Sequence, residues 1–289
     1  MVKMRMYFNI LIGLTGIFSI FTDLALKKIK NIHLGLIIFC ALIIYFVSFI
    51  NGQLNISGVL VFNPLIGLAV GFLLYLSGIF KGGDAKLFFT YSLLLPHNRY
   101  PNILPFTCLA LFANTFIVSF LFILPFLLQD IIVKKPAIIK EVFSQKTLLD
   151  FGRIFLITFG LSWLIEPSLK FLFLKSNVFL NFILLYLGYL SFYKVLNKIK
   201  IKWIIIFMFI LGCALRYVLI PDSYSYERMM IFFKKTFLFS VIFYTLRMIL
   251  DSQEGKSDRI PFAPFMFLGA ILTNTDFLPK IIRFLTYLK

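Results

Sequence analysis

Acidic residues are scarce in this chain, and two of them stand where chemistry is possible. The 289 residues hold only 12 Asp and Glu against 29 Lys and Arg. Asp23 closes an apolar run, in Phe21-Thr22-Asp23-Leu24-Ala25-Leu26-Lys27-Lys28-Ile29-Lys30-Asn31. Asp84 follows two glycines, in Phe80-Lys81-Gly82-Gly83-Asp84-Ala85-Lys86-Leu87. Taken singly, each is an interfacial acid that water or a nearby lysine satisfies. Taken together they make a different chemistry available. Two carboxyls brought to about 3 Å cannot both ionise, so one keeps its proton and the pair titrates as a unit. Such a pair can activate one water and protonate a leaving amide nitrogen, which is peptide hydrolysis by general base and general acid. Gly82 and Gly83 fit that role, because glycine lets backbones approach closely and permits unusual φ values. A plain turn at the end of an apolar segment uses the same pair.

The elements that must position these acids are apolar helices. Hydrophobic residues make up 61% of the chain and charged residues 14%, far from the roughly 45–50% and 25% of ordinary globular domains. Mean hydropathy is +0.96. A water-soluble fold, a disordered chain, collagen and a disulfide scaffold are excluded. The expectation is an all-α, polytopic transmembrane bundle of eight to ten spans, since about 20 mostly apolar residues cross a bilayer. The runs lie at 6–22, 34–50, 58–80, 85–96, 103–128, 152–166, 177–193, 203–220, 230–250 and 260–275. They are too long for barrel strands and lack a two-residue polar period. The first run ends without a small-residue cleavage site, so no cleavable leader is expected.

Net charge of +17 reads as orientation rather than nucleic-acid binding, because Lys and Arg gather in cytoplasmic loops. Alternate connections carry Lys27, Lys28, Lys30, then Lys81 and Lys86, then Lys134, Lys135, Lys140, Lys146 and Arg153. The same set continues with Lys194, Lys198, Lys200 and Lys202, then Lys256 and Arg259. The opposite set has only Lys3, Arg5, Arg99, Lys170, Lys175 and Arg228. The basic set belongs in the cytoplasm and the N-terminus outside. Asp23 and Asp84 then share the cytoplasmic face, although neither entered the count.

At these residues the chain resembles the type IV prepilin peptidases and archaeal preflagellin peptidases, which are membrane aspartic proteases. Lys81-Gly82-Gly83-Asp84-Ala85-Lys86-Leu87 is similar to their GxGDxKL motif. Asp23, followed after five residues by Ile29-Lys30-Asn31, resembles their first-aspartate motif, which ends in Ile-Pro-Asn. Ile260-Pro261-Phe262-Ala263-Pro264-Phe265 resembles the IPFGPF-type start of their last core helix. Lys81 stands where the motif has its first Gly, Lys30 where it has Pro, and Ala263 where it has Gly. The resemblance covers residues 1–100 and about 250–275.

The resemblance implies a peptidase core over 1–100, additional membrane helices over 101–250, and a core helix with its tail over 251–289, leaning toward the archaeal members. It implies Asp23 and Asp84 as the catalytic pair, with Gly82, Gly83, Lys86, Pro261 and Pro264 shaping the site. Lys86, two residues from Asp84, lies off its helical face and reads as an anchor at the headgroups. Pro261 to Phe265 would break the last helix and free backbone groups for an extended substrate strand. The implied substrate is a prepilin-like or preflagellin-like precursor, cleaved where a short basic leader meets an apolar helix at the plasma membrane. Bacterial bifunctional members add a zinc domain with paired CxxC motifs that N-methylates the product. This sequence has no such motif, so proteolysis without methylation is expected.

Three further groups of residues remain. Asp251, Glu254 and Asp258 precede Pro261 and either attract a basic leader or form a solvated turn balanced by Lys256 and Arg259. Arg216 lies in an apolar run, where a cation is costly if it faces lipid; it either pairs with an acid across the bundle, for which Glu166 on the same outer side is a candidate, or snorkels, or marks a span boundary. Lys234 and Lys235 read as a misplaced span boundary. Cys40, Cys108 and Cys213 are far apart in apolar runs, and His33 and His97 lack companions, so no metal or cofactor is expected and the cysteines read as core. Two other readings stay open. A presenilin-like protease also uses two aspartates, but the chain has Thr22-Asp23 rather than Tyr-Asp and no Pro-Ala-Leu after Asp84. A transporter or degenerate peptidase would use the intramembrane basic residues differently.

Overall fold

A long apolar segment leaves its backbone polar groups few partners other than its own, and the α-helix satisfies them internally. The computed structural model describes residues 2–52, 58–95, 104–133, 145–171, 178–198, 202–219, 226–251 and 261–275. Among them the chain is all helical, with ten helices and no strand. These are α1 (Val2–Leu26), α2 (Asn31–Ile50), α3 (Gly58–Leu76), α4 (Gly82–Leu94) and α5 (Thr107–Val133). They continue as α6 (Gln145–Phe171), α7 (Val178–Lys198), α8 (Lys202–Leu219), α9 (Tyr226–Asp251) and α10 (Ala263–Asn274). Each apolar run of the sequence falls on one of them. Two stretches, Met4–Leu26 and Asn31–Ile50, are long and apolar enough to cross a membrane. α2 shows why water is a poor solvent for it. It buries only a narrow stripe, Leu34, Ala41 and Ser48, while Phe39, Phe46 and Ile50 point outward. An apolar helix with so little of its surface covered is of the kind that crosses a membrane or packs against another apolar surface.

The chain divides into two compact units, Met1–Pro125 with Ile260–Lys289, and Phe126–Arg259. In the first, α3 and α4 pack closely through Gly67 and Gly71, one helical turn apart. A Cβ on Gly67 would overlap the Ser92 side chain, and one on Gly71 would sit 3.0 Å from the Ala85 carbonyl oxygen. Small residues at this contact let the two helix backbones approach closely. Asn63 fastens the pair: its amide donates to the Ser92 carbonyl at 2.8 Å and its oxygen accepts the Cys108 N–H at 2.8 Å. Tyr45 donates to the Leu93 carbonyl at 2.7 Å, which brings α2 onto the same framework. α1 meets α10 at Gly16, where any side chain would overlap the Phe267 ring. α10 is tied to α5 by Asn114, which donates to the Thr273 hydroxyl at 2.9 Å.

In the second unit α6 meets α8 at Gly212, whose Cβ would lie 3.0 Å from the Trp163 backbone. One expectation changes here, that of the cysteines. Lys234 and Lys235, expected at a misplaced span boundary, stand at exposed positions inside the 26-residue α9, so the helix itself runs on past them. Hydropathy dips there because charged side chains can hang outward without breaking the backbone ladder. Of the cysteines, Cys108 is buried but Cys40 is exposed and Cys213 intermediate, because apolar runs here have outward faces too.

Candidate active site

Three helices of the first unit pack mutually and bring the three motif segments together: α1, α4 and α10. Asp23 is 5% exposed near the end of α1, and Asp84 is 4% exposed in the first turn of α4. Their surroundings differ.

Asp23 faces the start of α10. Its Oδ2 accepts the Ala263 N–H at 3.2 Å. That N–H belongs to the first turn of a helix, where it has no intrahelical partner and carries the positive end of the helix dipole. Pro264 sits at the position where a missing N–H costs a helix nothing. Pro261 and Pro264 therefore start the helix, as expected. The freed backbone group, however, is taken by Asp23 instead of being left for a substrate strand.

Asp84 accepts the Lys81 N–H at 2.9 Å. This is half of a capping box, in which an acid at the third helical position holds the backbone of the residue before the helix. Burial pushes the Asp84 carboxyl up to about 6. The Lys81 N–H opposes that rise, the Asp23 charge adds to it, and the Lys81 charge opposes it. The expected shared proton is not seen: the two carboxyls make no hydrogen bond to each other, because each accepts a backbone N–H at a helix start instead. Lys81, in the place of the motif's first Gly, has φ −79° and ψ 165°. Extended backbone suits any L-residue, so the site's geometry does not require glycine there.

The two glycines divide the work unequally. A Cβ on Gly83 would lie 3.2 Å from the Ile29 Cβ, whereas one on Gly82 would meet only Tyr75, at 3.9 Å. Gly83 is where the turn before Asp84 presses on the segment after Asp23. Neither glycine needs a left-handed φ, contrary to expectation. Among the described residues the positive φ values fall on Lys27 (51°), Gly52 and Gly78. Lys27 is the turn that ends α1 and sends Ile29 back toward Gly83.

Lys86 has a partner that the headgroup-anchor reading did not foresee. Its ammonium donates to the Asn31 side chain at 3.1 Å. Asn31 ends the first-aspartate motif and begins α2. The two aspartate segments are therefore joined twice, by Ile29 on Gly83 and by Asn31 on Lys86. Phe80 walls the site, edge-on to Phe262 at 5.3 Å and 6.0 Å from Phe88. Phe262 meets Phe265 edge-on at 6.1 Å. The roles of Asn31 and the Ala263 N–H were missed in sequence, although Asn31 belongs to the motif and a proline at the start of a helix signals an exposed N-terminus.

Glu254 and Asp258 lie outside the described residues, and Asp251 is described only as the last residue of α9, without its side chain. In the second unit the expected partnership of Arg216 and Glu166 is present, at 2.6 Å. Among the described residues no three His, Cys, Asp or Glu gather as a metal site. No family model, curated protein or solved structure matches this chain.

Proposed function

We propose that this chain is a membrane-embedded aspartic endopeptidase that removes the short basic leader from prepilin-like or preflagellin-like precursors. In this reading it is a multi-pass protein of the plasma membrane, with its N-terminus outside and the two aspartates at the cytoplasmic face. The observation that carries it is that two acids 61 positions apart in the sequence are both buried on helices that pack together, each accepting one backbone N–H at a helix start. Asp84, kept neutral by burial at moderately acid pH, supplies a proton. Asp23, whose Oδ2 already accepts a helix N-terminal N–H, takes the role of base.

Water attacks the scissile carbonyl carbon, and Asp23 takes the proton it loses. Asp84 gives its proton to the carbonyl oxygen as that oxygen gains charge. The tetrahedral intermediate collapses, the C–N bond breaks, and the leaving nitrogen takes up the proton held on Asp23. Asp84 regains one from the collapsing hydroxyl, so the pair ends as it began. The substrate strand must be unwound, because a helical peptide bond is shielded; the strand then binds through its backbone.

The test is leader removal from a panel of pilin-like precursors in membranes holding wild type, Asp23→Asn or Asp84→Asn. The reading predicts cleavage by wild type with a bell-shaped pH profile, and loss in both variants with folding intact. Retention of cleavage in both variants would remove the basis of the assignment. The transporter reading predicts instead that the wild type cleaves nothing while ion or solute flux responds to Arg216→Ala.

A further inference from the structure

The second unit holds a cavity of ≈ 200 Å³ that the proteolytic reading leaves unused. Arg216 is its most fixed charge. The guanidinium is 3% exposed, pairs with Glu166 at 2.6 Å and donates to the Trp163 carbonyl at 3.3 Å. It also lies between the rings of Trp163 and Phe232, at 4.6 and 4.7 Å. Such a guanidinium is held on both faces and at its edge.

Glu166 is less fixed, with 41% of its side chain exposed. Lys235 lines the same cavity and has no acidic partner among the described residues. The cavity thus carries two cations and one anion, and lacks one negative charge. Hydroxyls of Ser162 and Thr236 lie on its wall, 3.3 Å apart. Asn181 adds a polar side chain, and the rest of the wall is apolar, with Leu185 and Phe239 among its residues. Arg216 stands in the last turn of α8, so the cavity opens near a helix end, at the depth where lipid headgroups sit if α8 crosses the bilayer.

A cationic, donor-bearing cleft with one apolar side fits a phosphate: its several oxygens suit Lys and Arg donors, and an attached acyl chain suits the apolar wall. We propose that this cavity binds a phosphate group beside the Arg216–Glu166 pair, with Lys235 supplying the unmatched charge. Two sources present that chemistry, an anionic phospholipid headgroup or free phosphate. The neighbouring Lys234 is exposed on the same helix but does not line the cavity, so it is an internal control.

The experiment uses the purified full chain in neutral detergent at constant ionic strength. Thermal unfolding is followed while phosphatidylglycerol, phosphatidylcholine or inorganic phosphate is titrated in. Saturable stabilisation is expected in wild type and Lys234→Gln. In Lys235→Gln its midpoint concentration should rise about tenfold, equivalent to about 1.4 kcal/mol. Dependence on Lys235 with phosphatidylglycerol alone identifies a lipid headgroup; the same dependence with inorganic phosphate identifies the free anion. Lys235→Gln changes an exposed side chain, so the fold is expected to persist. Glu166→Gln removes the competing anion and should move the midpoint to lower concentration. Equal responses of Lys235→Gln and wild type, or no saturable response to either phosphate probe, overturn the proposal. Binding here does not depend on cleavage, so its failure is separate from failure of the peptidase reading.

Discussion

Buried charge is handled in opposite ways in the two units. In the second, Arg216 is enclosed but matched: a carboxylate, a carbonyl and two aromatic faces surround it. In the first, Asp84 is enclosed with another acid nearby and with a backbone N–H for support. A matched charge is architecture. An acid pushed up to about 6 by burial is costly in its ionised form and ready to give or take a proton near neutral pH. Under the proposed peptidase reading, stability is given up there for chemistry.

The contrast is sharpest in activity. Asp23→Asn or Asp84→Asn should lower leader cleavage by at least about a thousandfold, since each removes a proton carrier that nothing else replaces; a cleavage time course checks it. Stability should move the other way. Asp84's pKa is raised from 3.8 to about 6, so the fold favours the neutral acid. Its stabilising contribution is complete below about pH 4 and is lost as pH rises through about 6. Asp84→Asn mimics the neutral form. It should stabilise the protein by up to about 3 kcal/mol at pH 8 and change little at pH 4, read from denaturant unfolding in detergent at both values. The second unit should respond in the ordinary way. Glu166→Gln leaves the Arg216 charge without its counterion and should cost about 2 kcal/mol, toward the low end for such pairs because Glu166 is partly exposed.

Smaller effects refine the first unit. Gly83→Ala forces Ile29 to give way by a few tenths of an ångström. It should lower cleavage about tenfold, within the range known for small misplacements of reacting groups. Gly82→Ala, with open space around it, should leave cleavage unchanged. Lys86→Met loses one exposed hydrogen bond to Asn31 and should cost about 0.5–1 kcal/mol of stability, regained in Lys86→Arg; thermal unfolding checks the pair.

The positions of the helices were legible because apolar runs dominate this sequence. Their ends were not. α9 begins at Tyr226, ahead of its apolar run, because Glu227 and Arg228 are good helix formers however polar they are. Arg216 and Glu166 could be paired from sequence because a cation in an apolar run has few possible partners. Asp23 and Asp84 stood out for the same reason of scarcity. The Ala263 N–H was not legible, since a backbone donor leaves no mark on residue type. Nor was the unequal role of Gly82 and Gly83, which depends on where Ile29 lands after the Lys27 turn.

The proposed chemistry needs the Asp23 and Asp84 carboxyls to feel each other's charge. Infrared difference titration of the carboxylic C=O stretch in the intact protein tests this without any substrate. A carboxyl should lose its proton near pH 6, be absent in Asp84→Asn, and titrate at lower pH in Asp23→Asn. A carboxyl that ionises near pH 4 and ignores the Asp23 substitution would contradict it.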